Sequence, residues 1–202
     1  IIEPISVKKD TVFGKTLFNF DSNGKGGSAS SSFHNAKLIG WSYNLLGTFK
    51  YIGDKSAPDY VLSNTGNREN NFAGEIKFSR KQYDFIGSYS FFNATIGILS
   101  ASHTGNANDL YQSINNQIPS VIEDFTYTIN SPRQEVQHHI AKVNFNYRWN
   151  EIASLGIQYA FQYNKRLEFD IRRGSFSNTA ALDLDLQTHS LTIDYKKTSH
   201  DW

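Results

Sequence analysis

Apolar and polar residues alternate at every second position through the segment 141–163. A period of two residues is typical of a β-strand with one face toward an apolar environment and one toward a polar one. The pattern is interrupted only by a short link near residues 149–154, so it predicts an antiparallel β-hairpin. The apolar positions are Val143, Phe145, Tyr147, Leu155, Ile157, Tyr159, Phe161 and Tyr163, and amides, charges and small residues lie between them.

The same alternation elsewhere predicts about eight strands. A short helix near 108–115, with Asn106 or Asn108 as its N-cap, is predicted inside the longest connection. Residues 1–14 alternate poorly and are interpreted as a lead-in, which leaves 15–202 for the strands. The predicted strands are 15–21, a weak Ser- and Ala-rich strand at 27–34, 41–51, 72–79, 83–91, the two hairpin strands, the second of which continues through Asp170, and a last strand carrying Leu191, Ile193 and Tyr195.

The predicted connections differ in length in an alternating order. The connections 53–70 and 94–132 are long and 172–183 is intermediate, whereas 80–82 and 149–154 are short. In an antiparallel succession of strands, alternate connections lie at the same end. Short turns at one end and long loops at the other are typical of outer-membrane β-barrels. The sequence therefore predicts an all-β fold, an antiparallel transmembrane β-barrel segment with three long extracellular loops.

Composition narrows the class of protein. The 202 residues are 39% hydrophobic with a mean hydropathy of −0.49, and no run reaches the ~20 apolar residues that a spanning helix needs. A membrane β-barrel needs only every second strand residue to be apolar. The net charge of +1 gives no basic footprint for nucleic acid, and the absence of cysteine excludes disulfides and thiolate metal sites. Methionine is absent at position 1 and no signal peptide is visible, so a processed product or a fragment is expected.

Titratable side chains give little indication of catalysis. His138 and His139 are adjacent, so on a strand they point to opposite faces and cannot jointly bind one metal ion. Glu168, Asp170 and Arg172 share one strand face, but the basic neighbours at 165, 166 and 173 favour a mutually neutralised polar surface over acid–base chemistry. We expect no enzyme activity, no metal site and no cofactor.

The long connection 94–132 is the best candidate for a substrate-facing surface. His103, Asn106 and Asp109 lie within it, and Arg133 lies at its base. Binding residues are frequently carried on loops that a rigid scaffold positions. Together with Glu168, Asp170 and Arg172, these residues form the predicted ligand-binding set. The alternative is that the loop only folds over the end of the strands.

Four ordered segments resemble the N-terminal part of the barrel of TonB-dependent outer-membrane receptors, most closely those of Bacteroidota-type bacteria. The resemblance covers nearly the whole chain. The segments are KSAPDYVLSNTGNREN (55–70), IGILSASHTGNANDL (96–110), SPRQEVQHHIAKV (131–143), and QYNKRLEFDIRRGS (162–175) with ALDLDLQTHSL (181–191).

The resemblance implies a fold and a function. Such receptors have a plugged barrel of about 22 strands, so eight strands would be part of it and residues 1–14 would be the link from the plug. The implied function is uptake of a scarce nutrient, most often an iron chelate of siderophore type, across the bacterial outer membrane. The implied partners are the nutrient, outer-membrane lipid, and the TonB system acting through a plug that these residues do not include.

Two alternatives remain open from the sequence. A complete eight-stranded outer-membrane barrel acting as an anchor or adhesin predicts that the eighth strand pairs with the first. A soluble ligand-binding barrel of lipocalin type predicts that the aromatic faces point inward and are buried.

Overall fold

The computed structural model describes residues 9–102, 104, 106–171 and 179–198, and it is all-β. Eight strands form one antiparallel sheet in which each strand lies beside its neighbours in sequence, and two further two-residue strands pair with each other. The strands of the large sheet are β1 (Thr11–Asp21), β2 (Gly26–Ala36), β3 (Trp41–Ile52), β6 (Asn67–Ser79), β7 (Tyr83–Gly97), β8 (Arg133–Arg148), β9 (Ala153–Phe169) and β10 (Leu182–Lys197), and the small pair is β4 (Lys55–Ser56) with β5 (Val61–Leu62).

The predicted strands and helix are present, with boundaries that pairing extends. The helix α1 spans Ala107–Asn115 and begins after Asn106, which is one of the two predicted caps. β1 begins at Thr11, inside the predicted lead-in, and the Ser-rich β2 runs the full length of its neighbours. β7 continues to Gly97 beyond its predicted end at Phe91, because its ladders with β6 and β8 persist where the alternation fades.

The sheet is open. β1 and β10 lie at its opposite edges, and each pairs with a single strand among the described residues. The all-β prediction and the antiparallel order of the strands are therefore confirmed at this level.

The three longest connections lie at one end of the sheet. The connections 37–40, 80–82 and 149–152 have three or four residues each and define the turn end. The four-residue connection 22–25 and the long connections 53–66, 98–132 and 170–181 define the loop end. Alternate connections share an end because successive antiparallel strands reverse direction.

The two faces of the sheet differ in chemistry. The face that carries Trp41, Phe49, Phe72, Phe145 and Tyr159 is rich in large apolar side chains, and we call it the apolar face. Many of them are exposed: Phe49 is 53% exposed, and Tyr159 43%. Among the described residues the buried hydrophobic ones are Ala36, Ile52, Ala94 and Phe169. The aromatic side chains of the strands thus lie on an uncovered surface and not in a protein core.

The opposite, polar face is held by its own hydrogen bonds. The Asn44 side chain, 7% exposed, joins two neighbouring strands: its Oδ1 lies 2.8 Å from His34 Nδ1, and its Nδ2 donates to Glu75 Oε1 at 3.3 Å. Lys50 Nζ donates to Glu69 Oε1 at 3.0 Å. These polar side chains are therefore satisfied by one another across neighbouring strands.

One part of the polar face departs from this chemistry. β10 begins at Leu182, within the predicted loop, and Leu182, Leu184 and Leu186 follow one another on the polar face. They are 38%, 49% and 63% exposed. The loop end of this edge strand therefore carries leucines on the polar face, whereas Asp183 and Asp185 occupy the apolar face.

The band of large side chains on the apolar face is displaced from strand to strand. Its residue nearest the loop end is Tyr51 in β3 but Leu191 in β10, and Leu191 is in register with Tyr43 through the intervening strands. This limit therefore shifts by eight residues, from 51 to 43. At the turn end the last large residue is Trp41 in β3 and Tyr195 in β10. Trp41 is in register with residue 193, so this limit shifts by two residues.

The displacement gives the tilt of the strands relative to the band. The loop-end limit moves by about 1.6 residues per strand and the turn-end limit by about 0.4, because the band narrows toward β10, and the mean of the two is one residue per strand. With a rise of ~3.3 Å per residue and a spacing of ~4.8 Å between strands, the strands are tilted by about 35° from the normal to the band.

Candidate functional site

Three connections at the loop end pack together into what we call the loop platform, made of residues 22–25, 53–66 and the described part of 98–132. A pair of hydrogen bonds joins the second and third: Asp54 N donates to Thr126 O at 3.0 Å, and Thr126 N donates to Asp54 Oδ2 at 3.2 Å. The other carboxylate oxygen of Asp54 accepts from Thr65 N at 2.8 Å. Asp54 is 1% exposed, so its charge is stabilised by backbone N–H groups in place of water.

Asn64 is the second junction of the loop platform. Its Nδ2 donates to the carbonyl oxygens of Ile98, Asn130 and Pro132 at 2.9, 3.2 and 2.7 Å. Its Oδ1 accepts from Asn130 N at 2.8 Å. The backbone of Asn64 has φ of +63°, which asparagine tolerates better than most residues, and its amide supplies both donors and an acceptor. One side chain therefore fixes both ends of the long connection.

Ser63 extends the same junction. It is fully buried, its Oγ accepts from Glu123 N at 2.8 Å, and its carbonyl oxygen accepts from Ser100 N at 3.1 Å. Buried polar groups that are all paired make a rigid network. The loop platform is therefore held by internal polar contacts over residues 54–66, 98–100 and 123–132.

The predicted residues of the long connection have structural roles in the helix α1. Asn106 is its N-cap, with Oδ1 accepting from Asn108 N at 2.8 Å and Asp109 N at 3.0 Å. The Asp109 side chain is exposed in the first turn, where a carboxylate favours the helix dipole. His103 lies outside the described residues.

The predicted residues at the base of the loop divide between the two faces. Arg133 is in register with Phe169, its guanidinium lies 4.0 Å from the centroid of that ring, and its Nε donates to Glu135 Oε1 at 2.8 Å. Glu168 lies on the polar face and accepts from Gln134 Nε2 at 3.1 Å and from Arg166 Nη2 at 2.7 Å.

The predicted ligand-binding set is therefore brought together only in part. Asp170 follows the last residue of β9, and its Oδ1 accepts from the N–H of Ile171 at 2.8 Å. Arg133, Glu168 and Asp170 lie at neighbouring strand ends, whereas the hydrogen bonds of Asn106 stay within α1. Arg172 lies outside the described residues.

The two adjacent histidines point to opposite faces, as predicted. His138 lies on the polar face in register with Asn164, and His139 lies on the apolar face with Nδ1 at 2.8 Å from Tyr89 Oη. His189 in β10 forms the same contact with Tyr159 Oη, also at 2.8 Å. His139 and His189 mark the loop-end border of the apolar band and differ by two residues in register over two strands, which matches the displacement of that band.

Sequence reasoning missed the junction residues at 54, 63 and 64 and the tyrosine–histidine pairs. Asn64 lies in a long polar connection. The composition of that connection does not distinguish a buried asparagine from an exposed one. The pairs needed the register, since Tyr89 and His139 are 50 residues apart.

Over the described residues, no group of three or more His, Asp or Glu side chains is placed to hold a metal ion. In the same part of the chain no helix is both long and apolar enough to cross a bilayer.

Comparison of the chain with protein-family models, with curated proteins and with solved structures gave no match in any of the three.

Proposed function

We propose that this chain forms part of the barrel of a TonB-dependent outer-membrane receptor, with the apolar face toward lipid and the polar face toward the lumen. The observation that carries the proposal is the uncovered apolar band. Monomeric soluble proteins rarely expose contiguous apolar patches larger than a few hundred Å². A surface of this kind requires an apolar partner.

The dimensions of the band support lipid as that partner. From Trp41 to Tyr51, β3 advances ten residues along the apolar face, which is about 33 Å at ~3.3 Å per residue. At a tilt of about 35° the projection on the band normal is roughly 27 Å, close to the ~25 Å apolar band of outer-membrane barrels, whose strands tilt by ~35–45°.

The borders of the band support the same assignment. At the turn end, Trp41 packs on Phe78 with ring centroids 4.4 Å apart, and the Arg80 guanidinium lies 4.5 Å from the Phe78 centroid. At the loop end, Tyr51 stacks on Tyr127. Aromatic residues concentrated at both borders are the girdles expected at membrane–water interfaces.

The open sheet favours the larger barrel over the first alternative. A complete eight-stranded barrel requires β1 to pair with β10, and these strands lie at opposite edges. If the eight strands are part of a larger barrel, β1 and β10 each pair with a further strand of the same protein.

The exposed aromatic face counts against the second alternative. A lipocalin-like barrel buries the side chains that here are exposed, such as Phe145 at 37%.

The proposed role of the loop platform is to present the extracellular loops to the nutrient, for which an iron chelate is the proposed class.

Cell fractionation tests the membrane part of the proposal. The protein, expressed from its native gene, is expected in the outer-membrane fraction and is expected to resist extraction by alkaline carbonate. Recovery in the soluble fraction without detergent would refute it.

Uptake by a deletion strain tests the transport part. Loss of the gene is expected to abolish TonB-dependent accumulation of at least one labelled iron chelate, with restoration by the wild-type gene. If the deletion leaves accumulation of every chelate in a panel unchanged, although the wild-type protein is found in the outer-membrane fraction, the anchor alternative is favoured.

A further inference from the structure

One guanidinium at the turn end lies over the apolar face with no acidic partner. The centre of the Arg80 guanidinium is 4.5 Å from the Phe78 ring centroid, and its Nη1 donates to the carbonyl oxygens of Ile39 and Ser79. A ring and two carbonyls carry no net charge, so these contacts orient Arg80 without neutralising it. Its Nε and Nη2 donate to no group in the described part of the chain.

The position of Arg80 is set by the packing of two turns. Ser79 N donates to Gly40 O at 2.8 Å, which joins the turn 37–40 to the end of β6. Gly40 has φ of +92°, and a Cβ placed on it would clash with Ser79 O and lie 2.6 Å from Arg80 Nη1. A glycine at position 40 therefore leaves room for the guanidinium at the border of the apolar band.

The second of these turns keeps an uncompensated positive charge. In the turn 37–40, Lys37 Nζ pairs with Asp10 Oδ2 at 3.1 Å. In the turn 80–82, Arg80 and Lys81 have no carboxylate partner among the residues that the structure describes. Arg148 donates to the carbonyl oxygens of both and is itself ion-paired, so it adds no further free charge. An anion is therefore attracted to this end of the sheet.

An apolar groove of 590 Å³ crosses the same face between β3 and β8. Its floor includes the small residues Gly74, Gly87 and Ala141, which lie on three neighbouring strands. Leu45 and Val143 are among the larger residues around it and are 44% and 43% exposed. The groove is therefore a depression in a surface that is otherwise made of bulky apolar side chains.

The groove begins beside the ring that supports Arg80. Phe78 and Ile76 follow one another on the apolar face of β6, and Ile76 lines the groove. Trp41 packs on Phe78 with ring centroids 4.4 Å apart, and Tyr43, the next residue on the apolar face of β3, also lines the groove. The cation, the aromatic border and the groove therefore form one continuous strip that runs inward from the turn end.

The depth of the groove matches a chain that enters from the turn end. In β3 the apolar band runs from Trp41 to Tyr51, so its midpoint is residue 46. The groove residues Tyr43 and Leu45 lie on the turn-end side of that midpoint, and Val143 lies at the middle of the band in β8. A hydrocarbon chain that starts at the turn-end border and ends near the middle of the bilayer would fill it.

We infer that Arg80 and this groove bind one anionic phospholipid of the turn-end leaflet, with the headgroup phosphate at the Arg80 guanidinium and an acyl chain in the groove. The inference rests on the proposed lipid-facing side of the sheet. The turn end is opposite the proposed extracellular loops, and this is the side on which an outer membrane carries its phospholipids. Guanidinium N–H groups match phosphate oxygens, and the walls of the groove match hydrocarbon. The continuity of the cation with the groove selects an amphiphile over a free anion.

Native mass spectrometry of the detergent-purified, full-length protein tests the headgroup part, with phosphatidylglycerol and phosphatidylcholine added in turn. The wild type is expected to retain one phosphatidylglycerol in preference to phosphatidylcholine. Arg80→Gln is expected to lower that preference about fivefold, the contribution of one basic residue beside an anionic lipid surface. Arg68→Gln is the matched control, because the Arg68 guanidinium lies 5.0 Å from the Tyr51 ring at the opposite border, and it should leave the preference unchanged.

Gly87→Leu tests the acyl-chain part separately. A Cβ on Gly87 would meet its nearest neighbour, Ile76 Cγ2, at 3.5 Å, which is an ordinary contact, so the variant should fold with the groove filled. It is expected to reduce retention of both lipids. Gly47→Leu is the matched control: it makes the same change on the same face outside this groove, where an added Cβ meets no atom within 4 Å, and it should retain both lipids.

The outcomes separate this inference from the proposed function. The lipid site alone would be overturned if Arg80→Gln keeps the wild-type preference, if Arg68→Gln lowers it equally, or if the two leucine variants behave alike. Displacement of the lipid by excess inorganic phosphate would show a phosphate site without lipid specificity and would also overturn it. A wild-type protein that is soluble without detergent would overturn the proposed function itself.

Discussion

The apolar face and the loop platform of this chain differ in how far their side chains are covered by the rest of the protein. On the apolar face, side chains such as Phe49 and Tyr159 have much of their surface uncovered. In the loop platform, Asp54 and Asn64 are nearly inaccessible, and their polar atoms are paired with backbone groups from distant parts of the chain. The stability of the apolar face therefore depends on the medium that covers it, whereas the loop platform is stabilised by contacts within the chain.

The difference shows where stability should be sensitive to the solvent. Apolar surface that meets water on one side contributes little to folding until an apolar medium covers it. A buried network contributes in any medium, and the loss of one member leaves its partners unsatisfied. Substitutions in the two regions should therefore respond differently to a change of the medium that covers the apolar face.

The largest effect is expected for an arginine on the apolar face. Val143→Arg should destabilise the protein in bilayers by about 2–4 kcal/mol, because this position lies midway between His139 and Tyr147 on the apolar face of β8. Asn144→Arg, the adjacent residue on the polar face, is the matched control and should be tolerated. Unfolding by denaturant in vesicles measures both variants, and equal destabilisation would break the distinction between the faces.

A second effect is expected in the loop platform. Asn64→Ala removes the donor to three carbonyls and the acceptor for Asn130 N, and an unsatisfied buried group costs about 1–3 kcal/mol. Hydrogen exchange should therefore accelerate in residues 98–132 but not in the strands. Asn108→Ala, an exposed residue of α1, serves as the control. Uniform acceleration over the whole sheet would show that the loop platform is not a separate unit.

A smaller effect is expected at the loop-end border of the apolar band. Tyr89→Phe removes the hydroxyl that contacts His139 Nδ1, which should cost about 0.5–1.5 kcal/mol. Tyr159→Phe should behave alike, because His189 forms the same contact. Denaturant unfolding in vesicles checks the pair, and a large loss for one variant with none for the other would contradict their equivalence.

The smallest effect is a pH dependence at the turn end. The Leu38 backbone N–H and the Lys37 ammonium lower the pKa of Asp10 below its ordinary value. A carboxyl with a lowered folded-state pKa stabilises the fold above its unfolded pKa of ~3.9, and the contribution is lost as the pH falls through the folded value. Asp10→Asn should flatten the acid limb of the stability profile slightly. An unchanged limb would show that this exposed contact is energetically silent.

Several features of the fold could be predicted from local residues. The alternation around Val143 and Tyr159 indicated strands and their faces, because a two-residue period has only one structural origin. The helix start was predictable from capping chemistry as one of two positions, Asn106 or Asn108. The sorting of short and long connections was visible once the strands were placed.

The candidate site was less predictable for a physical reason. Asn106 and Asp109 looked like surface ligands, but the Asn106 side chain is occupied by the N-cap hydrogen bonds. Nothing in the composition of the connections distinguished Asn64 from its exposed neighbours. Its role depends on carbonyl groups 34 to 68 residues away.

The sequence by itself determined the strands, their two chemically different faces and the helix cap, because these depend on residues close together along the chain. The tertiary structure decided the register, and with it the displacement of the apolar band, the open edges of the sheet, the buried junction at Asp54 and Asn64, and the contacts of Tyr127 with Lys25 and Arg68. These features join residues that are far apart in sequence, and only the pairing of whole strands brings them within contact distance.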